Sequence, residues 1–224
     1  MKMLYHGSKY TVETPTYGQG NIYNDYGLGF YCTQQQEMAN EWAVTFNKDG
    51  FCNCYEIDDT DLKILYLDDD QYTILHWLTI LLQNRTFDMT SPLAIEAKDY
   101  LISNFNVDYN DYDVIVGYRA DDSYFSFAQD FINGSISLRQ LKNAMYLGNL
   151  GKQYVLKSKR AFSRIKFVES VYVSNKEWYD KKMKRDKQAR RQYFDVERNK
   201  RQKGDLYIVQ IMDEEMKSND SRLR

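Results

Sequence analysis

Apolar residues recur at two different spacings along this 224-residue chain, and the spacings divide it into helices and strands. Met38, Ala39, Trp42, Ala43 and Phe46 lie three or four apart, the mark of one helical face, and Thr33 ahead of them suits the cap of a helix over 33–46. Residues 51–57 and 62–67 read as strands, the first with polar residues in alternation. Helices are predicted over 72–83, over 92–105 with Pro92 in the first turn, over 122–132, and over 138–147, where Gly148 ends the run. Val114, Ile115 and Val116 form a short apolar run typical of a buried strand, and further strands are predicted around Gln153 and over 164–173.

Strands thus cluster in two groups with helices inserted between them, which predicts an α+β architecture of two small sheets around a cleft. A doubly wound fold is excluded, because strand and helix do not alternate regularly and no G-x-G-x-x-G occurs. After about residue 175 the composition changes, so the chain divides into a main domain, 1–175, and a basic helical extension, 176–224. Between 181 and 203 eleven Lys or Arg face three acids (Asp186, Asp195, Glu197), a local balance of +8 that leaves about −10 for the rest of a chain totalling −2. No glycine or proline interrupts this stretch before Gly204, so one long helix is predicted, with sparse apolar positions (Met183, Ala189, Tyr193, Phe194, Val196) and a largely solvated surface. Its charge suits a solvated face, a nucleic acid, or an acidic partner such as a small neutralising protein. The run DLYIVQIMDEEM that follows is amphipathic and could dock on the main domain or on a partner.

Composition narrows the field. Aromatic residues make up 15% of the chain and glycine and proline are few, which excludes a disordered or collagen-like protein. No apolar segment of signal-peptide type follows residues 1–10, and the longest apolar stretch, 74–82, contains His76 and is too short to span a bilayer, so a cytoplasmic protein without membrane contact is expected. Three cysteines, an odd number, agree with a reducing compartment. Cys52 and Cys54 share one face of a strand with no His or Cys cluster near them, so they read as packing residues and no metal site is expected. His76, set among Leu75, Trp77, Leu78 and Ile80, reads as a hydrogen-bonded core histidine.

The candidate chemistry lies early in the chain. LYHGS (residues 4–8) sets an imidazole and a glycine at the end of a strand, where the absent side chain of Gly7 lets a ligand approach the backbone closely. NDYGLGFYCT (24–33) follows, a glycine-hinged loop leading to Phe30 and Tyr31, which point to opposite sides of an extended chain. Either segment alone is also an ordinary turn or hairpin; together, in this order, they suit a nucleotide pocket.

These residues resemble the ADP-ribosyltransferase superfamily in its His-Tyr-Glu branch, that of diphtheria toxin and the poly-ADP-ribose polymerases, and within it a family of uncharacterised bacterial proteins. The resemblance covers roughly residues 3 to 165. It implies a split β-sandwich around an NAD cleft, with inserted helices. It also implies that His6 contacts the adenosine ribose, that the Gly7 main chain holds the nicotinamide carboxamide, that Ser8 lies near the nicotinamide ribose, and that Tyr31 stacks on the nicotinamide.

Where that branch carries its glutamate, the strand KQYVLKS offers Gln153. Breaking the nicotinamide–ribose bond builds positive charge on the sugar, which a carboxylate offsets; glutamine keeps a hydrogen bond but brings no charge. Elongation to a polymer is therefore not expected, whereas single transfer assisted by another acid is. YDVIVGYRADDSYF (112–125) offers that acid in Asp121 or Asp122, beside Arg119, which is suited to grip a pyrophosphate; an aspartate N-cap with a surface ion pair is the alternative use of the same residues.

Two functions follow as expectations. One is an NAD-dependent mono-ADP-ribosyltransferase acting on a macromolecular acceptor, protein or nucleic acid, as the toxin of a bacterial toxin–antitoxin or phage-defence pair with a small antitoxin partner. In that case Gln153, Tyr31 and His6 are catalytic, and His6, Gly7, Ser8, Tyr31, Arg119 and Asp122 bind the cofactor, without a metal. The other is a catalytically inactive NAD-binding or interaction module.

Overall fold

In the computed structural model the described residues are 1–120 and 122–224, with the backbone alone for residues 122 and 123. Seven strands, β1 (Lys2–Ser8), β2 (Phe30–Thr33), β3 (Gly50–Ile57), β4 (Ile64–Tyr66), β5 (Val114–Gly117), β6 (Gln153–Leu156) and β7 (Ile165–Val173), form one mixed sheet in the order β4-β5-β6-β2-β1-β3-β7. The fold is α+β. Every neighbouring pair is antiparallel except β4 and β5, whose parallel pairing needs a long crossover.

The crossover is built by α2 (Ile74–Asn84) and α3 (Pro92–Asn104), which with α4 (Asp122–Ile132) and α5 (Leu138–Met145) cover one face of the sheet. Alternation along β5 and β6 explains why both faces of that part of the sheet are dry. Ile115 and Val155 point into this main core, while Val114, Val116, Tyr154 and Leu156 point to a second, where Ala161 of α6 (Lys159–Ser163) closes over them.

One sheet is present where two were expected, yet it is nearly cut. β1 runs along β3 for seven residues, from Lys2 opposite Ile57 to Ser8 opposite Phe51, but meets β2 through the single pair Tyr5–Thr33. The halves β4-β5-β6-β2 and β1-β3-β7 therefore share a junction one rung wide, and the chain forks open beside it.

Two expectations near this fork need correction. Thr33 does not cap a helix: it lies in β2, and its hydroxyl accepts from the Gln35 amide at 3.1 Å. The helix, α1, is short (Gln36–Ala43), and Phe46 falls outside it, 76% exposed and in edge contact with Tyr179. Its brevity follows from its seat. Ala43 O would lie 2.0 Å from a Cβ on Gly50, and Ala39 O 1.9 Å from one on Gly7, so α1 rests directly on the backbone of β1 and β3 and must turn away at Val44. His76 closes a capping box at the start of α2, its Nδ1 accepting from the Thr73 amide at 2.9 Å. Ser137 and Gln140 do the same for α5.

The basic segment begins earlier and ends sooner than its charge pattern suggests. Helix α7 runs Asn175–Gln192, and a wider helical turn follows at Tyr193–Glu197. It is bound into the molecule. Ala189 and Tyr193 are fully buried, the Tyr193 ring lies 3.9 Å from that of Phe127, and its hydroxyl donates to Asp130 at 2.6 Å. α8 (Ile208–Asp213) adds Ile208 and Ile211 to the same core, and Tyr100 donates to the Ile211 and Met216 carbonyls.

Candidate functional site

The fork between β1 and β2 leads into a cavity of about 510 Å³, within the range of about 300–1,000 Å³ usual for small-molecule pockets. One rung past the Tyr5–Thr33 pair, His6 Nδ1 donates to the Tyr31 carbonyl at 2.7 Å, a side-chain bond where the ladder has stopped. With that proton on Nδ1, Nε2 keeps its lone pair. Burial pushes the imidazole pKa down, so the ring is neutral at pH 7, and it packs against Phe30 at 4.4 Å between centroids.

Tyr31 is anchored by its own loop. Its hydroxyl donates to Gly27 O at 2.6 Å and accepts from Tyr26 N at 3.0 Å, and burial raises its pKa, so it stays a neutral phenol. The loop is tied down in turn: Lys157 Nζ donates to the Tyr26 and Leu28 carbonyls, and burial pushes that ammonium down to about 8. The Tyr26 hydroxyl reaches the Tyr118 carbonyl at the end of β5.

Gln153, the first residue of β6, is opposite Thr33 on one side and Gly117 on the other. Its Nε2 donates to Asp25 Oδ2 at 2.9 Å. The same carboxylate accepts from the Ala120 amide at 2.9 Å and, through Oδ1, from Arg85 Nη1 at 2.9 Å. Asp25 is 5% exposed and lines the cavity, so a charged carboxylate stands directly against the glutamine. Gln153 Oε1 and Trp42 Nε1 are buried and meet no hydrogen-bond partner among the described residues; both side chains line the cavity. Buried polar atoms in that condition are rare and point to a missing ligand or water.

Arg119 follows β5, its guanidinium 3.9 Å from the centre of the Trp42 ring on α1. α7 forms the opposite wall through Lys182, Met183, Arg185, Asp186 and Arg190. Arg185 fixes that wall to α1, with Nε at 2.8 Å and Nη2 at 2.7 Å from Oε2 of the buried Glu41. Arg85, Arg119, Lys182, Arg185 and Arg190 give the cavity five cations against the carboxylates Asp25 and Asp186. Its lining therefore favours an anion.

Of the residues singled out in the sequence, His6, Gly7, Tyr31, Arg119 and Gln153 line this one cavity. Gly7 serves packing as well, since α1 crosses it. Ser8 is not part of the lining: its hydroxyl donates to the Tyr10 carbonyl at 2.6 Å and accepts from Asn53 Nδ2 at 3.0 Å. Asp121 and the side chain of Asp122 lie outside the described residues. Sequence reasoning missed Asp25, although it stands inside the NDYGLGFYCT segment; an aspartate beside a glycine-hinged turn reads as turn chemistry. It also missed Arg85, Trp42 and the α7 wall, for which no local pattern exists. Among the described residues no group of three or more His, Cys, Asp or Glu could hold a metal ion, and no helix is long and apolar enough to cross a membrane.

Fold and site together define an α+β protein with an anion-favouring cavity at the fork of a seven-stranded sheet. The chain belongs to the family described as "Protein of unknown function (DUF3990)", whose model matches residues 2–167. No curated protein and no solved structure matches it. α7, from Asn175 onward, falls beyond the family match.

Proposed function

We propose that this protein is an NAD-dependent mono-ADP-ribosyltransferase with a macromolecular acceptor. One observation carries the proposal: His6, Tyr31 and Gln153, from three strands and distant parts of the sequence, line a single cavity in which a buried carboxylate, Asp25, is bonded to Gln153. The one-rung junction between β1 and β2 supports an ADP-ribosyltransferase-like split sandwich.

The lining residues fit NAD. Arg119 and the α7 cations suit its pyrophosphate, Nε2 of His6 can accept from a ribose hydroxyl, and the buried Gln153 Oε1 and Trp42 Nε1 are ready for polar groups of a ligand. Bound NAD would supply an ADP-ribosyl group: its C1′–nicotinamide bond breaks with the electron pair leaving on nicotinamide, and a lone pair of the acceptor closes on C1′, any proton it carries passing to water.

Asp25 would supply the negative charge that Gln153 lacks, offsetting positive charge on the sugar. Among the described residues Arg85, the Ala120 amide and Gln153 donate to it and fix it in place, so it needs no reorganisation. Gln153 would orient a ribose hydroxyl through Oε1, and Tyr31, immobilised at both hydroxyl bonds, would stack on the leaving ring.

Incubation of the purified protein with labelled NAD and cell extract tests this: nicotinamide release with label on a macromolecule is expected. Bound NAD with neither release nor transfer would refute it and favour the inactive module. A toxin role predicts growth arrest on expression, abolished by Tyr31→Ala.

A further inference from the structure

Two side chains, Tyr31 and Lys157, hold the turn that follows Asp25, and of the two only Tyr31 lines the cavity. Three successive carbonyls of that turn are bonded to them. Tyr26 O and Leu28 O accept from Lys157 Nζ at 2.7 and 2.5 Å, and Gly27 O between them accepts from the Tyr31 hydroxyl at 2.6 Å. Carbonyl oxygens gathered in this way repel one another; an ammonium offsets that repulsion, whereas a neutral amine brings hydrogen bonds without the charge. The lysine stem reaches the turn over Gly29, where an added Cβ would meet Lys157 Cδ at 3.3 Å. Asp25 immediately precedes the first of the three carbonyls, and the Tyr31 hydroxyl is bonded to the Tyr26 amide as well as to Gly27. The placing of both residues therefore follows the turn.

The ammonium sits there at a cost to the fold. Burial lowers its pKa from an ordinary 10.5 to about 8, and among the described residues no carboxylate pairs with it to oppose that shift. Asp113, whose carbonyl accepts the Lys157 amide, turns its carboxylate to the Lys63 amide, Ser158 and Arg160. Asp25 turns its own to Arg85, the Ala120 amide and Gln153. The Tyr109 ring faces the ammonium, its centre 5.6 Å from Nζ, and burial pushes the phenols of Tyr26 and Tyr31 above 10. Between pH 8 and 10.5 the unfolded chain thus holds a proton that the folded one has released, so this lysine's contribution to stability rises with pH across that window. Stability does not account for a charge in this place; the turn it holds does.

We infer that Lys157 is a positioning residue for the transfer: its ammonium sets the 26–28 turn, and through it Asp25 and Tyr31, so turnover requires this lysine to be protonated. This rests on the ADP-ribosyltransferase assignment for the turnover, but the hold on the turn is measurable without NAD.

The test pairs NMR of protein carrying 13C-lysine and 15N with nicotinamide release from saturating NAD, with and without cell extract, across the pH range around 8. The Lys157 Cε resonance, assigned by its loss in Lys157→Met, is expected to titrate near 8, and the Tyr26, Gly27 and Leu28 amides to move with the same midpoint. Above that midpoint kcat should fall about tenfold per pH unit, with NAD affinity little changed and the protein folded by circular dichroism. Lys157→Met should lower kcat at least tenfold at neutral pH and abolish the alkaline fall. Lys157→Arg keeps the charge and should restore most of kcat without that fall, which separates the lysine from any titration of the acceptor. Turn amides that ignore the Lys157 titration would overturn the inference, as would wild-type kcat and pH profile in Lys157→Met. Nicotinamide release absent at every pH, with the turn amides still following Lys157, would instead refute the transferase assignment.

Discussion

Replacing Asp25 by Asn removes one negative charge from the cavity and almost no volume. The carboxylate accepts from Arg85, Ala120 N and Gln153 Nε2, each at 2.9 Å; an amide has a single oxygen, so its NH₂ must face at least one of these donors. Hydrogen bonds to a charged group contribute about 1.5–3 kcal/mol each, and Arg85 keeps some contact with water, its side chain being 26% exposed. A loss of about 3 kcal/mol in stability is therefore expected, which for a chain of this length lowers Tm by about 6–12 °C. The effect on turnover should be separate and larger: losing one preorganised charge at the reacting sugar costs about 10²–10³ in kcat, with NAD affinity changed far less. Nicotinamide release and ligand titration give the two constants, and differential scanning fluorimetry the stability. The double variant D25N/Q153E returns a carboxylate to the cavity but not to the Ala120 and Arg85 donors, so it should recover kcat and leave Tm low. If D25N kept its kcat within threefold while its Tm fell, or if the double variant recovered stability but not turnover, Asp25 would be a structural clamp and its proposed part in the chemistry would be refuted.

Other perturbations probe what surrounds the site. Gly7→Ala sets a Cβ 1.9 Å from Ala39 O and 2.7 Å from Ala43 N, backbone atoms that cannot swing aside, so a loss of about 3 kcal/mol or more is expected in a thermal melt, and an unchanged Tm would contradict the close seat of α1. Glu41→Gln removes the charge of a buried carboxylate that grips Arg185 twice and should cost about 3 kcal/mol, with faster amide exchange along α7; exchange confined to α1 would mean that α7 is held elsewhere. Stability should also fall on acidification. Burial lowers the pKa of His6 and His76 below the ordinary 6.5, so the unfolded chain binds protons first; stability is complete above about 6.5 and declines as pH drops below it, toward the lowered pKa of the folded state. Asp113 and Asp205 are held below the ordinary 3.8 and add their own loss of stability only as pH falls below that value. A flat Tm between pH 7 and 5, or no change of slope in His6→Gln, would contradict a neutral buried imidazole.

Most elements were legible along the chain, and where they were not, the obstacle was non-local. Spacing of apolar residues predicts α2, α3, α4, α5 and the apolar strands, because which face of a helix or strand is buried is written in neighbouring residues. It extended α1 to Phe46 because the residues between look helical; what ends that helix is the backbone of β1 and β3 beneath Gly7 and Gly50. Charge set 181–203 apart from the rest, yet Ala189 and Tyr193 on the inner side of that helix belong to the main core.

The candidate site divides the same way. By itself the sequence determined which short segments carry chemistry: the imidazole and glycine of LYHGS, the tyrosine of NDYGLGFYCT, and an amide at 153 in place of a carboxylate. Only the tertiary structure decided that β1 and β2 part after one rung, that Asp25 meets Gln153 across 128 residues, and that α7 closes the cavity with its cations. Local periodicity is fixed by chain geometry, whereas strand register and helix docking are fixed by the burial of whole surfaces, Arg185 against Glu41 and Tyr193 against Phe127 among them, and no spacing along the sequence records those pairs.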